Sequence, residues 1–332
     1  MRPYISPWLT LLGVILSAGC GGEMDATPDA GEQVDAGWED QVVVLETYDV
    51  SAFNAALVDG MPTIDVAFYV TEGGPITWLS LKTSIERAQR IFAVPGVQLR
   101  ISSALRIQVP REWQRLDADE ANVPTTPSYL ETDLYAHIDE LETRLTKRNE
   151  AIFEAIVAHY PEQANGVTAA NTIHVLTVFE APIAIYEWTG SAWTRSVQPT
   201  GGLSFPPYFY ADRIPMDVRG IITLSSGLSR PTADTKTLAH EIGHKVIDVS
   251  HEGVGVCPTV EATGADLMLY GPGERIPSGA EGRWQVERLL LSPFIYRLEG
   301  GIARFATVYQ DGGVYDDRLY GNYVVPPPCV QG

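Results

Sequence analysis

The sequence predicts an α+β protein: a twisted, mostly parallel sheet with two long helices, a further helix that carries the chemistry, and a small irregular C-terminal subdomain. Three observations lead there. Strand-like runs at residues 63–70, 97–101, 172–179 and 220–224 are separated by stretches with helical spacing or by long connections. Of 332 residues, 45% are hydrophobic and 20% charged, enough to bury a full core. Residues 236–247 then carry Leu238, Ala239, Ile242 and Val246 on one helical face, with His240, Glu241 and His244 away from it.

Taken from the start, Arg2 precedes an apolar run from Trp8 to Leu16, and Ser17-Ala18-Gly19 ends that run before Cys20. Residues 1–19 read as a secretion signal too short to span a bilayer as a stable anchor. The placing of Cys20 after Ala18-Gly19 resembles the lipobox of bacterial lipoproteins, which implies cleavage before Cys20 and its acylation. Leu16 lies one position further from the cysteine than that family has it, and Ser17 takes the expected apolar place. An ordinary signal peptide cleaved near Cys20 is the other reading.

Residues 20–41 are acidic and small, with no basic residue, so they cannot bury a core and read as a flexible tether. Residues 42–332 form the folded domain, with an upper part 42–251 and a lower part 252–332. A net charge of -19 excludes nucleic acid and an anionic bilayer face as partners, since both are repelled. The acyl group is then the only link to a membrane. Among the three cysteines, assigning Cys20 to lipid leaves Cys257 and Cys329 for a disulfide in an oxidising compartment, with two unpaired thiols as the alternative.

In the body, residues 63–70 alternate and are rich in branched and aromatic side chains, as in a half-buried first core strand. Leu81, Ile85, Ala88 and Ile91 give residues 80–92 a helical face, which Pro95-Gly96 ends before the strand at 97–101. A capping box at Ser128–Glu131 opens a long helix whose stripe runs through Leu134, Ile138, Leu141, Leu145, Ile152 and Ile156 to Pro161. A strand follows at 172–179, then a hairpin over 184–197 turning at Thr189-Gly190-Ser191. Residues 220–224 are the last strand before the histidine helix.

Thr232 or Asp234 caps that helix. Four residues apart, His240 and His244 are offset by roughly 40° and about 6 Å along the axis, so both imidazoles can reach one cation, and zinc suits paired nitrogens. Glu241 points roughly 100° away from His240; it is the general base for the water that zinc acidifies, not a ligand. Gly243 permits close approach of a neighbouring backbone. The leading third ligand is His251. On a continued helix it would stand about 10 Å too far along, so the helix must break after His244, with Asp248 in a left-handed turn.

His240-Glu241-x-x-His244, with His251 and the later Asp266-Leu267-Met268-Leu269-Tyr270, resembles the metzincin clan of zinc peptidases. That pattern is His-Glu-x-x-His-x-x-Gly-x-x-His with a downstream methionine turn. The resemblance implies a metzincin-like fold, one catalytic Zn2+, peptide or protein substrates, Met268 as the floor of the site and Tyr270 as an oxyanion-stabilising residue. The Met-x-Tyr form and Glu252 after His251 are similar to astacins. This chain departs from the clan in having Ile247 at the glycine position and a third histidine one residue late. Two other readings stand: a gluzincin-like peptidase with Glu261 as third ligand and Asp266 behind it, and a non-catalytic surface lipoprotein with a structural metal site. The expected location is the bacterial envelope, lipid-anchored at the outer membrane, or the secreted fraction.

Overall fold

Nine consecutive buried residues, Thr63–Thr71, make strand β2 the centre of the sheet. The computed structural model describes residues 37–118, 145–188, 193–204, 215–226, 236–248, 266–268, 273–276 and 283–305. All lie in one compact unit, Asp35–Gly332. The described elements are β1 (Val43–Thr47), α1 (Ser51–Asn54), β2, α2 (Trp78–Ala93), β3 (Gln98–Gln108), α3 (Lys147–Val157) and β4 (Thr172–Val178). There follow β5 (Pro182–Trp188), β6 (Trp193–Pro199), β7 (Gly202–Ser204), β8 (Ile221–Ser225), α4 (Lys236–Gly243), α5 (Arg283–Leu291), β9 (Ile295–Glu299) and β10 (Ile302–Phe305).

The main sheet has the order β1-β3-β2-β4-β8-β7. Its middle, β3-β2-β4-β8, is parallel, and β1 and β7 run antiparallel along its two sides. The fold is therefore mixed α+β around a mostly parallel sheet. A parallel sheet needs cover on both faces, and β2 shows it by sending alternate residues to opposite cores. Ile64, Val66, Phe68 and Val70 meet α2 and α4 on one side. Ala67 and Tyr69 meet Ile152, Phe153 and Ile156 of α3 on the other. The half-buried reading of residues 63–70 is corrected accordingly: the alternation is real, but both faces are dry.

α2 begins at Thr77, whose side chain accepts from the Ser80 amide while Ser80 reciprocates, and its apolar stripe is the expected one. The strand after it extends well beyond residue 101, to Gln108. The single long helix over 128–161 is corrected. Thr146 is extended, and its hydroxyl accepts from Asn149 N to start a separate helix at Lys147. The Ser128 capping box lies outside the described residues, as do the hairpin turn at 189–191 and the caps Thr232 and Asp234. The hairpin itself forms, as β5 and β6, in a sheet of its own.

Near the start of the described residues, Trp38 stacks on Trp113 at 5.0 Å between ring centroids. At the other end, the described residues of the part expected to be irregular include a regular helix, α5, and the β9–β10 hairpin. β9 joins the main sheet beside the start of β2 through Thr63↔Tyr296 and Ile64↔Ile295. A buried polar contact secures it. The Tyr296 hydroxyl donates to Asp65 Oδ1 at 2.8 Å, and the Arg100 guanidinium lies 3.2 Å from the same oxygen. Burial pushes the Asp65 carboxyl up to about 6, against the pull of Arg100 and Tyr296. No helix of the described residues is long and apolar enough to cross a membrane.

Tyr296→Phe removes the hydroxyl while keeping the ring. The expected cost is about 1.5–3 kcal/mol, the usual range for a hydrogen bond to a charged group, read as a lower urea midpoint at unchanged slope.

Candidate metal centre

α4 forms because Leu238, Ala239 and Ile242 each bury completely or nearly so against α2 and the sheet. That fixes the helix's rotation about its axis and leaves His240 half-buried at the boundary. His240 Nε2 and His244 Nε2 stand 3.1 Å apart, with their rings nearly perpendicular. Two nitrogens each about 2.05 Å from one tetrahedral zinc ion would stand about 3.3 Å apart, so the pair fits such an ion without rearrangement.

His240 Nδ1 lies 2.6 Å from the carbonyl oxygen of Leu267. A carbonyl only accepts, so Nδ1 carries the proton and Nε2 presents its lone pair to the shared point. Burial lowers the His240 pKa, which favours this neutral form of the ring.

The helix changes character at the second histidine. From His244 to Asp248 it is a π-helix, so the expected α-helix over 236–247 is corrected to an α segment followed by a wider turn. Val246 and Ile247 are fully buried there. The π form takes in about one more residue per turn than an α-helix.

Beneath the helix lies the segment holding Met268. Met268 is fully buried, and a Cβ on Gly243 would come within 2.5 Å of its Sδ. The close neighbour of Gly243 is thus the Met268 side chain, and the expectation of a backbone there is corrected. Leu267 N donates to Arg275 O at 2.7 Å, and Glu274 pairs with Arg87 of α2. The methionine segment is therefore anchored to the same helix that backs α4.

Glu241 is buried, and β7 closes over it: a Cβ at Gly202 would meet Glu241 Oε1 and Thr237 Cγ2 at 2.8 Å each. Burial pushes the Glu241 carboxyl up to about 8, partly offset by the Lys245 ammonium. Lys245 is itself buried and donates to Arg219 O at 2.7 Å. Sequence reasoning missed Lys245, though its i+4 spacing from Glu241 was a usable signal. It also missed Gly202 and Gln285, which nothing local in the sequence marks. Asp266 is committed to Met268 N and Gln285.

Among the described residues, no group of three metal-ligating side chains forms. His251, Glu261, Tyr270, Cys20, Cys257 and Cys329 lie outside the described residues. A different histidine, His174, is fully buried between Tyr69 OH and Ala169 O, and burial pushes it down to about 4. It is a neutral core residue. Comparison of the chain with known protein families found no match, and comparison with curated proteins found no relative.

Two outcomes follow from this geometry. Gly243→Ala should lower stability by about 1–3 kcal/mol, as overpacking against Met268 does, measured by denaturant unfolding. For Glu241, the raised folded-state value means that the metal-free native protein holds a proton that the unfolded chain releases above about 4.5. That stability is complete below about pH 4.5 and is lost as pH rises toward 8. The melting temperature of metal-free protein should fall between pH 5 and 8, and Glu241→Gln should flatten the slope.

Proposed function

We propose that this chain is a zinc-dependent peptidase of metzincin-like fold, with His240 and His244 as two ligands and Glu241 as general base. The observation that carries the reading is the convergence of two Nε2 atoms 3.1 Å apart, with the first ring's other nitrogen committed to the Met268 segment. A zinc ion held there would polarise a peptide carbonyl and acidify a water molecule. Glu241 sits one residue from His240 in a dry pocket, where a cation lowers its raised pKa toward that of a working base. It takes the proton from the attacking water and delivers it to the leaving amine. Its burial keeps bulk water from competing for that proton.

His251 is the proposed third ligand, and the π-helix supports it. The chain has one residue more between His244 and His251 than the metzincin pattern, which on a plain α-helix would turn the exit by roughly 100°. A π turn takes in about one residue more than an α turn, which supports a return path to the metal with one residue more between His244 and His251. Met268, packed against Gly243, supports its reading as the floor of the site. Tyr270 stands as oxyanion stabiliser. Substrates are peptides or proteins, and β7, the last strand of the described sheet and next to Glu241, is the proposed edge for an extended segment. The proposed location is the bacterial envelope, through acylated Cys20 at the outer membrane, or secreted, with Cys257 and Cys329 as a disulfide.

Purified protein should hold about one zinc per chain and cleave an unfolded protein substrate. Glu241→Ala should lower kcat by at least about 100-fold with the metal retained, and His240→Ala should lose the metal. Cleavage that persists in Glu241→Ala would end the mechanism. Zinc content in His251→Ala and Glu261→Ala, made separately, identifies the third ligand.

A further inference from the structure

We propose that Gln285 and Asp266 form a positioning relay that sets the tautomer and direction of His240, an inference that rests on the zinc reading above. One peptide bond joins the two contacts. The carbonyl that receives His240 Nδ1–H belongs to Leu267, and the amide on the other side of that same planar unit belongs to Met268. In a trans peptide the N–H and C=O point in opposite directions, so whatever holds one aims the other.

Asp266 holds the amide. Its Oδ1 accepts from Met268 N at 2.9 Å, a tight Asx turn two residues long. Its second oxygen, Oδ2, accepts from Gln285 Nε2 of α5 at 3.0 Å. Asp266 and Gln285 are both fully buried, so solvent does not compete for these contacts. With both oxygens engaged the carboxylate cannot rotate, and the peptide plane between Leu267 and Met268 is fixed with its oxygen on His240. A carboxylate on the N–H end also polarises that peptide and strengthens its carbonyl as an acceptor.

The consequence reaches the ligand. An imidazole whose Nδ1 keeps its proton offers only Nε2 to a metal, and outer partners of this kind commonly change metal affinity by about 10–100-fold. α5 lies after the methionine segment in the chain, and its Gln285 reaches His240 through Asp266 and the Leu267 carbonyl.

The test uses the full chain labelled with 15N-histidine. In metal-free native protein, imidazole 15N shifts should place the His240 proton on Nδ1. In Gln285→Leu and in Asp266→Ala that population should spread to the other tautomer, and zinc affinity by chelator competition should fall about 10-fold or more. Asp266→Asn keeps an acceptor for Met268 N and should recover most of the Asp266→Ala loss. Unchanged tautomer and affinity in Gln285→Leu overturn the relay, as does an Asn variant no better than Ala. Should Asp266→Ala fail to fold, Gln285→Leu carries the decision. A locked Nδ1 tautomer in native protein that takes up no zinc leaves the relay standing and refutes the peptidase reading.

Discussion

A hydrogen bond from His240 Nδ1 to the Leu267 carbonyl joins two parts of the chain that the sequence separates by more than twenty residues. The rest of the site depends on it. The helix α4 provides two nitrogens at the right axial interval, but an imidazole on a helix can rotate about its side-chain bonds and can carry its proton on either nitrogen. The carbonyl removes both freedoms. The methionine segment is held in turn by Leu267 N on Arg275 O, by Glu274 on Arg87, and by Asp266 between Met268 N and Gln285.

The position of α4 is itself a product of packing. Leu238, Ala239 and Ile242 dock on α2, and α2 docks on Ile64, Val66, Phe68 and Val70 of the central strand. β2 in turn is fixed by its neighbours on both sides and by the Asp65–Arg100–Tyr296 contact at its start, where the C-terminal hairpin returns to the sheet. The histidine pair and this buried contact lie in different parts of the fold, and each ties the last quarter of the chain to an earlier part, Leu267 to His240 and Tyr296 to Asp65. Such long-range ties also account for the buried Lys245 and the dry Glu241, since closing the sheet edge with β7 removes solvent from that carboxylate.

Elements with strong local signals were legible. The stripe in α2 and the run of branched residues in β2 follow from periods of 3.6 and 2, and both form where expected. What periodicity does not report is the second face. Alternation in residues 63–70 looks the same whether one side is wet or both are covered, and only the arrival of α3 decides it. Likewise, a stripe continued past Leu145 concealed the break at Thr146, because a threonine whose hydroxyl caps the next turn overrides hydrophobic spacing. The edge strand β1, exposed along its length, carries no burial pattern to read.

The sequence by itself determined which side chains the candidate site holds: His240, Glu241 and His244 at helical intervals, a glycine at 243, and a methionine downstream. These are local facts, since three residues on one helix obtain their mutual geometry from the backbone alone. Tertiary structure decided which tautomer His240 holds, what lies under Gly243, and how the helix leaves His244. The first two depend on Leu267 and Met268, brought from more than twenty residues away, and the third goes with the burial of Val246 and Ile247 in the core, and no spacing along the chain encodes these distances in space.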